Sequence, residues 1–140
     1  MSRHQSKFEI ILNNGLAGIE QLASALDHFF NQQGLNEQLK NQVNLVLEEL
    51  YTNSVNYGFE GISGGYVAID ISNKGSHLEI VYQDNGIAYN PLQAEDPQLL
   101  LSVEERPIGG LGVFFVKTMT DHVEYARSGE LNIVRMTKNL

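Results

Sequence analysis

Between Leu16 and Gly58 apolar side chains recur at intervals of three and four, and from Tyr66 onward the interval falls to two. Such a chain has helical stripes first and strand faces later, and each must be buried on the other. The outcome is an α+β layering of helices on a sheet.

The first helix is predicted from Leu16 to about Gln33, with Ile19, Leu22, Ala23, Leu26, Phe29 and Phe30 on its apolar face and Gly34 at its C-terminal turn. It follows a short strand at 7–12, which stops at Asn13-Asn14-Gly15. Asn36 caps a longer helix that ends at Gly58, with Leu39, Val43, Val46, Leu47, Leu50 and Ser54 as its buried stripe. Val67, Ile69 and Ile71 then share one strand face. Asn73-Lys74-Gly75 turns the chain, and Leu78, Ile80 and Tyr82 line the returning strand up to Asp84-Asn85-Gly86.

Residues 87–108 show no period and hold all 3 prolines. A segment of that length inside a small domain is a functional lid or a disordered loop. Gly109-Gly110-Leu111-Gly112 opens an apolar helix running to about Thr120, and strands at about 122–127 and 131–137 pair around Ser128-Gly129. The order predicts a two-layer α/β sandwich, a mixed and mostly antiparallel sheet with three helices over one face.

The 140 residues make one domain, 1–140, large enough to bury a core without a staple. Cysteine is absent, which removes disulfides, thiolate zinc sites and cysteine nucleophiles. With 17 acidic and 9 basic residues the formal charge is −8, which argues against a nucleic-acid or anionic-membrane surface. The apolar run Phe8–Leu12 is too short for a signal peptide, and no stretch approaches a membrane span. A soluble, cytoplasmic protein is expected.

Three polar features are not explained by a core. Glu49 and Asn53 lie four residues apart on the second helix and Asn56 one turn further on, a stripe that borders the apolar one. An ordinary solvated face accounts for them as well. Asp84 has the parity of Leu78, Ile80 and Tyr82, so its carboxylate points inward and needs hydrogen-bond donors. The competing reading is a turn-capping aspartate. The glycines at 109–112 open a helix, where free N–H groups can hold an anion, although glycine-rich turns are common. Together the three supply an acceptor for an exocyclic amine, an amide oxygen for a metal, and a phosphate cradle behind a lid. That is a nucleotide site.

The strings Glu49-Leu50-Tyr51-Thr52-Asn53, Asp84-Asn85-Gly86-Ile87-Ala88 and Gly110-Leu111-Gly112 resemble the three ATP boxes of the GHKL superfamily and its Bergerat fold. Short length, the stretch 105–112 and the lack of a phospho-accepting histidine helix make the chain similar to the bacterial anti-sigma factor serine/threonine protein kinases. His4, His28, His77 and His122 have no such helical context.

The resemblance implies ATP or ADP with Mg2+. Glu49 would be the general base, Asn53 the magnesium ligand and Asp84 the adenine acceptor. Asn56, Gly86, Ala88, Gly109, Gly110, Leu111, Gly112 and Val113 would line the nucleotide, and Arg106 is the candidate for reaching the terminal phosphates. The implied partners are a STAS-type anti-anti-sigma protein and a sigma factor, with a possible homodimer. Two other functions stay open: an ATP-dependent partner-switching module without phosphotransfer, and the catalytic half of a split histidine kinase.

Overall fold

The computed structural model describes residues 6–13, 15–93 and 116–140. Strand β1 (Lys7–Leu12) leads through a single 3-10 turn at Gly15–Ala17 into helix α1 (Gly18–Gln32). Leu22, Leu26, Phe29 and Phe30 are buried, at relative positions 0, 4, 7 and 8. Ala23 is exposed and does not belong to the buried stripe, because each residue advances the helix by about 100° and carries it past the core face. At the end of α1, Gly34 has φ 67°, with Gly34 N–H donating to Asn31 O at 3.2 Å and Leu35 N–H to Phe30 O at 3.0 Å. This pair of bonds ends a helix on a left-handed residue, which glycine adopts without the usual side-chain penalty.

Helix α2 (Glu37–Asn53) starts at Asn36, whose Oδ1 accepts from Leu39 N–H at 2.7 Å, as the capping rule predicts. It buries Val43, Val46, Leu47, Leu50 and Tyr51. The helix read from the sequence as continuous to Gly58 changes character at Ser54. Residues Ser54–Gly58 form a π turn, closed by Phe59 N–H donating to Ser54 O at 2.9 Å.

Strands β2 (Val67–Asn73), β3 (His77–Asp84), β4 (His122–Ser128) and β5 (Leu131–Asn139) complete a sheet of order β1-β2-β3-β5-β4. Among the described residues all four ladders are antiparallel, where the sequence predicts a mixed and mostly antiparallel sheet. Strands β3 and β4 do run the same way, but β5 lies between them and no parallel ladder forms.

One sheet face carries Leu12, Val67, Ile69, Ile71, Leu78, Ile80, Tyr82, Val134 and Met136, none more than 3 % exposed, in one core with α1 and α2. Residues 116–119 are helical, and Val116 joins this core. The start expected for a third helix, at Gly109-Gly110-Leu111-Gly112, lies outside the described residues. Truncating a core residue such as Ile69 or Leu47 to alanine would cost about 2–5 kcal/mol.

The sheet register aligns Val67, Asp84, Asn132 and Arg127 in one row across β2, β3, β5 and β4. That row is where the end of α2 meets the sheet.

Candidate functional site

Asp84 is the last residue of β3 and is 8 % exposed, in agreement with its inward parity. Burying a carboxylate requires donors, and three are present. Ser54 Oγ donates to Oδ2 at 2.8 Å, while Gly86 N–H and Asn132 Nδ2 each donate to Oδ1 at 2.9 Å. The Gly86 bond is the turn cap that the bland reading expected; the other two come from α2 and β5, far along the chain. Oδ1 is thus saturated, and Oδ2 keeps room for a further donor.

The helical spacing predicts Ser54 as one more buried position on the α2 stripe, and it is buried, at 5 % exposure. Its polar task was not visible there. Its Oγ also lies 2.6 Å from Tyr82 Oη and 3.1 Å from Leu50 O. A serine has one proton, and the carboxylate can only accept, so Tyr82 donates to Ser54 and Ser54 to Asp84. Burial pushes the Tyr82 hydroxyl well above the ordinary phenol range, which keeps it a neutral donor.

The loop after Asp84 is held from several sides. Ile87 N–H donates to Gly58 O at 2.8 Å, which docks it on the π turn. A Cβ on Gly86 would lie 2.6 Å from Gly58 O, so only glycine permits this approach. Asn85 Oδ1 accepts from Tyr66 N–H at 2.8 Å, and Arg127 Nη1 donates to Gly86 O at 2.9 Å. Ala88 lies two residues beyond Gly86 and is exposed.

Glu49 and Asn53 are both half-buried on the last turns of α2, immediately before Ser54. Burial and, secondarily, the neighbouring Glu48 raise the Glu49 carboxyl above its usual range. Asn53 closes the regular helix and Asn56 is exposed within the π turn. Arg106 and the stretch Gly109, Gly110, Leu111, Gly112 and Val113 lie outside the described residues, as does most of the expected lid. Its described beginning contains one 3-10 turn, Pro91–Gln93.

Among the described residues no group of three or more histidine, aspartate or glutamate side chains could hold a metal. A single amide oxygen such as that of Asn53 suits Mg2+, which takes most of its ligands from phosphates and water. The spare acceptor on Asp84 Oδ2, beside a glycine that brings the backbone close, suits the amino edge of a base. No helix among the described residues is long and apolar enough to cross a membrane.

Sequence reasoning missed Asn132. A signal existed, because Asn132 shares parity with the buried Val134 and Met136 and is a polar residue at an inward position, as Asp84 is. Arg127 and Tyr125, on the same face of β4, carried no such mark.

Residues 13–138 match the histidine kinase-like ATPase domain family. The chain is 25 % identical over 124 residues to the serine-protein kinase RsbW of Listeria innocua serovar 6a, covering 81 % of this chain and 74 % of that protein. The RsbW of Listeria monocytogenes serotype 4a matches at the same identity and coverage. With a five-stranded antiparallel sheet under its helices and a match over most of its length, the chain belongs to the histidine kinase-like ATPase family of the GHKL superfamily, a family of ATP-binding domains, and is distantly similar to the RsbW kinases.

Proposed function

We infer that this domain is an ATP-binding anti-sigma regulatory factor that phosphorylates a serine or threonine on a STAS-type anti-anti-sigma partner and thereby controls the release of a sigma factor. The observation that carries the reading is the buried Asp84, held by three donors with one acceptor position spare, at the foot of the helix that bears Glu49 and Asn53. The similarity to proteins named serine-protein kinases supports the choice of substrate.

In this reading Asp84 Oδ2 accepts from the adenine amine, and Gly86 and Ala88 border the base. Asn56, Arg106, Gly109, Gly110, Leu111, Gly112 and Val113 serve the sugar and phosphates. Asn53 would hold magnesium through its side-chain oxygen, and bound magnesium would offset phosphate charge. Glu49 orients the incoming hydroxyl and takes its proton as the new O–P bond forms and the bond between the β and γ phosphates breaks. Burial raises its pKa, with Glu48 adding to the shift, and this makes it a better base than a solvated carboxylate.

The test is to incubate the protein with labelled ATP, magnesium and the STAS protein encoded nearest to it. Label on a serine or threonine of that protein is expected. Nucleotide-dependent capture or release of a partner without label would replace the kinase by a partner-switching module.

A further inference from the structure

We propose that Asn132 is a positioning residue for base recognition: it touches no ligand and sets the selectivity of the site by fixing Asp84. This rests on the reading of Asp84 as the base acceptor and names the residue that gives that acceptor its direction.

The argument is one of saturation. A carboxamide offers two N–H donors and an oxygen with two lone pairs. All four are used. Asn132 Nδ2 donates to Asp84 Oδ1 at 2.9 Å and to Ile87 O at 2.8 Å. Its Oδ1 accepts from Tyr89 N–H at 3.2 Å and from Tyr125 Oη at 2.5 Å. Turning the amide over would set its oxygen against two acceptors and its NH2 against two donors, so only this orientation is tolerated. At 5 % exposure and with no capacity left, Asn132 has nothing to offer a nucleotide directly.

The same four bonds join parts of the molecule that would otherwise be independent. Asp84 ends β3, Ile87 and Tyr89 belong to the loop beyond it, and Tyr125 comes from β4. Arg127, the register partner of Asn132, grips Gly86 O from the adjacent strand. The β4–β5 hairpin therefore holds both the carboxylate and the loop that supplies its Gly86 N–H bond. With Oδ1 consumed by Asn132 and Gly86, the carboxylate presents Oδ2 and cannot swivel. A rigid acceptor favours a base edge that carries an amine and disfavours one that carries a carbonyl.

The experiment compares ADP with IDP, which differ in having an amine or a carbonyl at the same ring position, by calorimetry with magnesium present. Wild type should bind ADP roughly 10–100-fold more tightly than IDP, the range of a charge-assisted hydrogen bond. Asn132→Ala and the near-isosteric Asn132→Leu, neither of which can donate to Asp84, should lose ADP affinity while keeping that for IDP. The preference should shrink to within about threefold. A purely structural role would weaken both nucleotides alike, and a wild-type preference retained in both variants overturns the proposal.

Equal binding of ADP and IDP by the wild type would instead remove Asp84 as base acceptor, and the proposal with it. If neither variant folds, selective 15N labelling of asparagine in the wild type decides. An Asn132 carboxamide resonance that shifts with ADP and not with IDP supports the positioning role, and an identical response to both refutes it.

Discussion

Ser54 Oγ donates to Asp84 Oδ2 across 2.8 Å, joining the end of α2 to the end of β3 through two buried side chains. Behind it stands Tyr82, whose hydroxyl is 2.6 Å from Ser54 Oγ. Ser54→Ala leaves the Tyr82 hydroxyl and one carboxylate oxygen without partners, and should cost about 1–3 kcal/mol in urea unfolding. Removing the Tyr82 hydroxyl as well relieves part of that loss. The double variant Ser54→Ala/Tyr82→Phe should thus be less destabilised than the sum of the single changes, and strict additivity would mean that the two hydroxyls do not form a chain.

Asp84→Asn puts an NH2 group in place of the oxygen that accepts from Ser54 Oγ and, in this reading, from the adenine amine. Two of the present donors, Gly86 N–H and Asn132 Nδ2, can still meet the remaining carbonyl oxygen. The fold should survive with a loss of about 1–3 kcal/mol, while ADP affinity falls by roughly tenfold or more because the spare acceptor is gone. Equal ADP affinity in the two proteins would reduce Asp84 to a turn cap.

Gly86 and Gly34 separate a site effect from a fold effect. A Cβ on Gly86 would meet Gly58 O at 2.6 Å and Gly58 C at 2.9 Å, and backbone cannot step aside as a side chain can. Gly86→Ala should cost about 1–3 kcal/mol and also weaken ADP, since the loop must leave the π turn. Gly34 has φ 67° but open space around its Cβ position. Gly34→Ala should cost about 1–2 kcal/mol of stability with ADP affinity unchanged, which calorimetry and melting curves on the same samples would resolve.

Asn53 should reveal itself through the metal. Asn53→Ala removes the amide oxygen assigned to magnesium and leaves the base acceptor in place. ADP affinity measured with magnesium should fall to the value measured with a chelator, and the chelator value should match wild type. A variant that keeps the magnesium enhancement would exclude Asn53 as the ligand.

The layering, the strand faces and the buried Asp84 could be read from periodicity because each is a matter of local parity. Leu78, Ile80, Tyr82 and Asp84 follow one rule, and the structure buries all four. What could not be read is anything set by pairing at a distance. The π turn at Ser54 exists where Gly58 must reach Gly86 and Ile87, a contact between α2 and a loop beyond β3. The antiparallel order depends on β5 entering between β3 and β4, which no hairpin signal specifies. Asn132 lay within reach of the parity argument, but its role depends on facing Asp84 across the β3–β5 ladder.

Glu49 offers a test that separates chemistry from binding. Burial, with a smaller contribution from Glu48, raises its carboxyl pKa in the folded protein above that in the unfolded chain. The native state therefore holds this proton more tightly. The resulting stability is fully present below the unfolded-chain pKa and is lost as pH rises through the folded one. At neutral pH the ionised side chain is a small net cost. Glu49→Gln should melt slightly above wild type at pH 7, and the gain should vanish below about pH 4, where Glu49 is protonated in the folded and the unfolded chain alike. ADP affinity should be retained or slightly improved, because one anion near the phosphates is gone. Phosphoryl transfer to the STAS partner should fall by about 10²–10⁴-fold, since a base acts in the transition state and contributes little to ground-state binding. A variant that transfers at the wild-type rate would disqualify Glu49 as the base. One that loses nucleotide binding together with transfer would make it a binding residue instead.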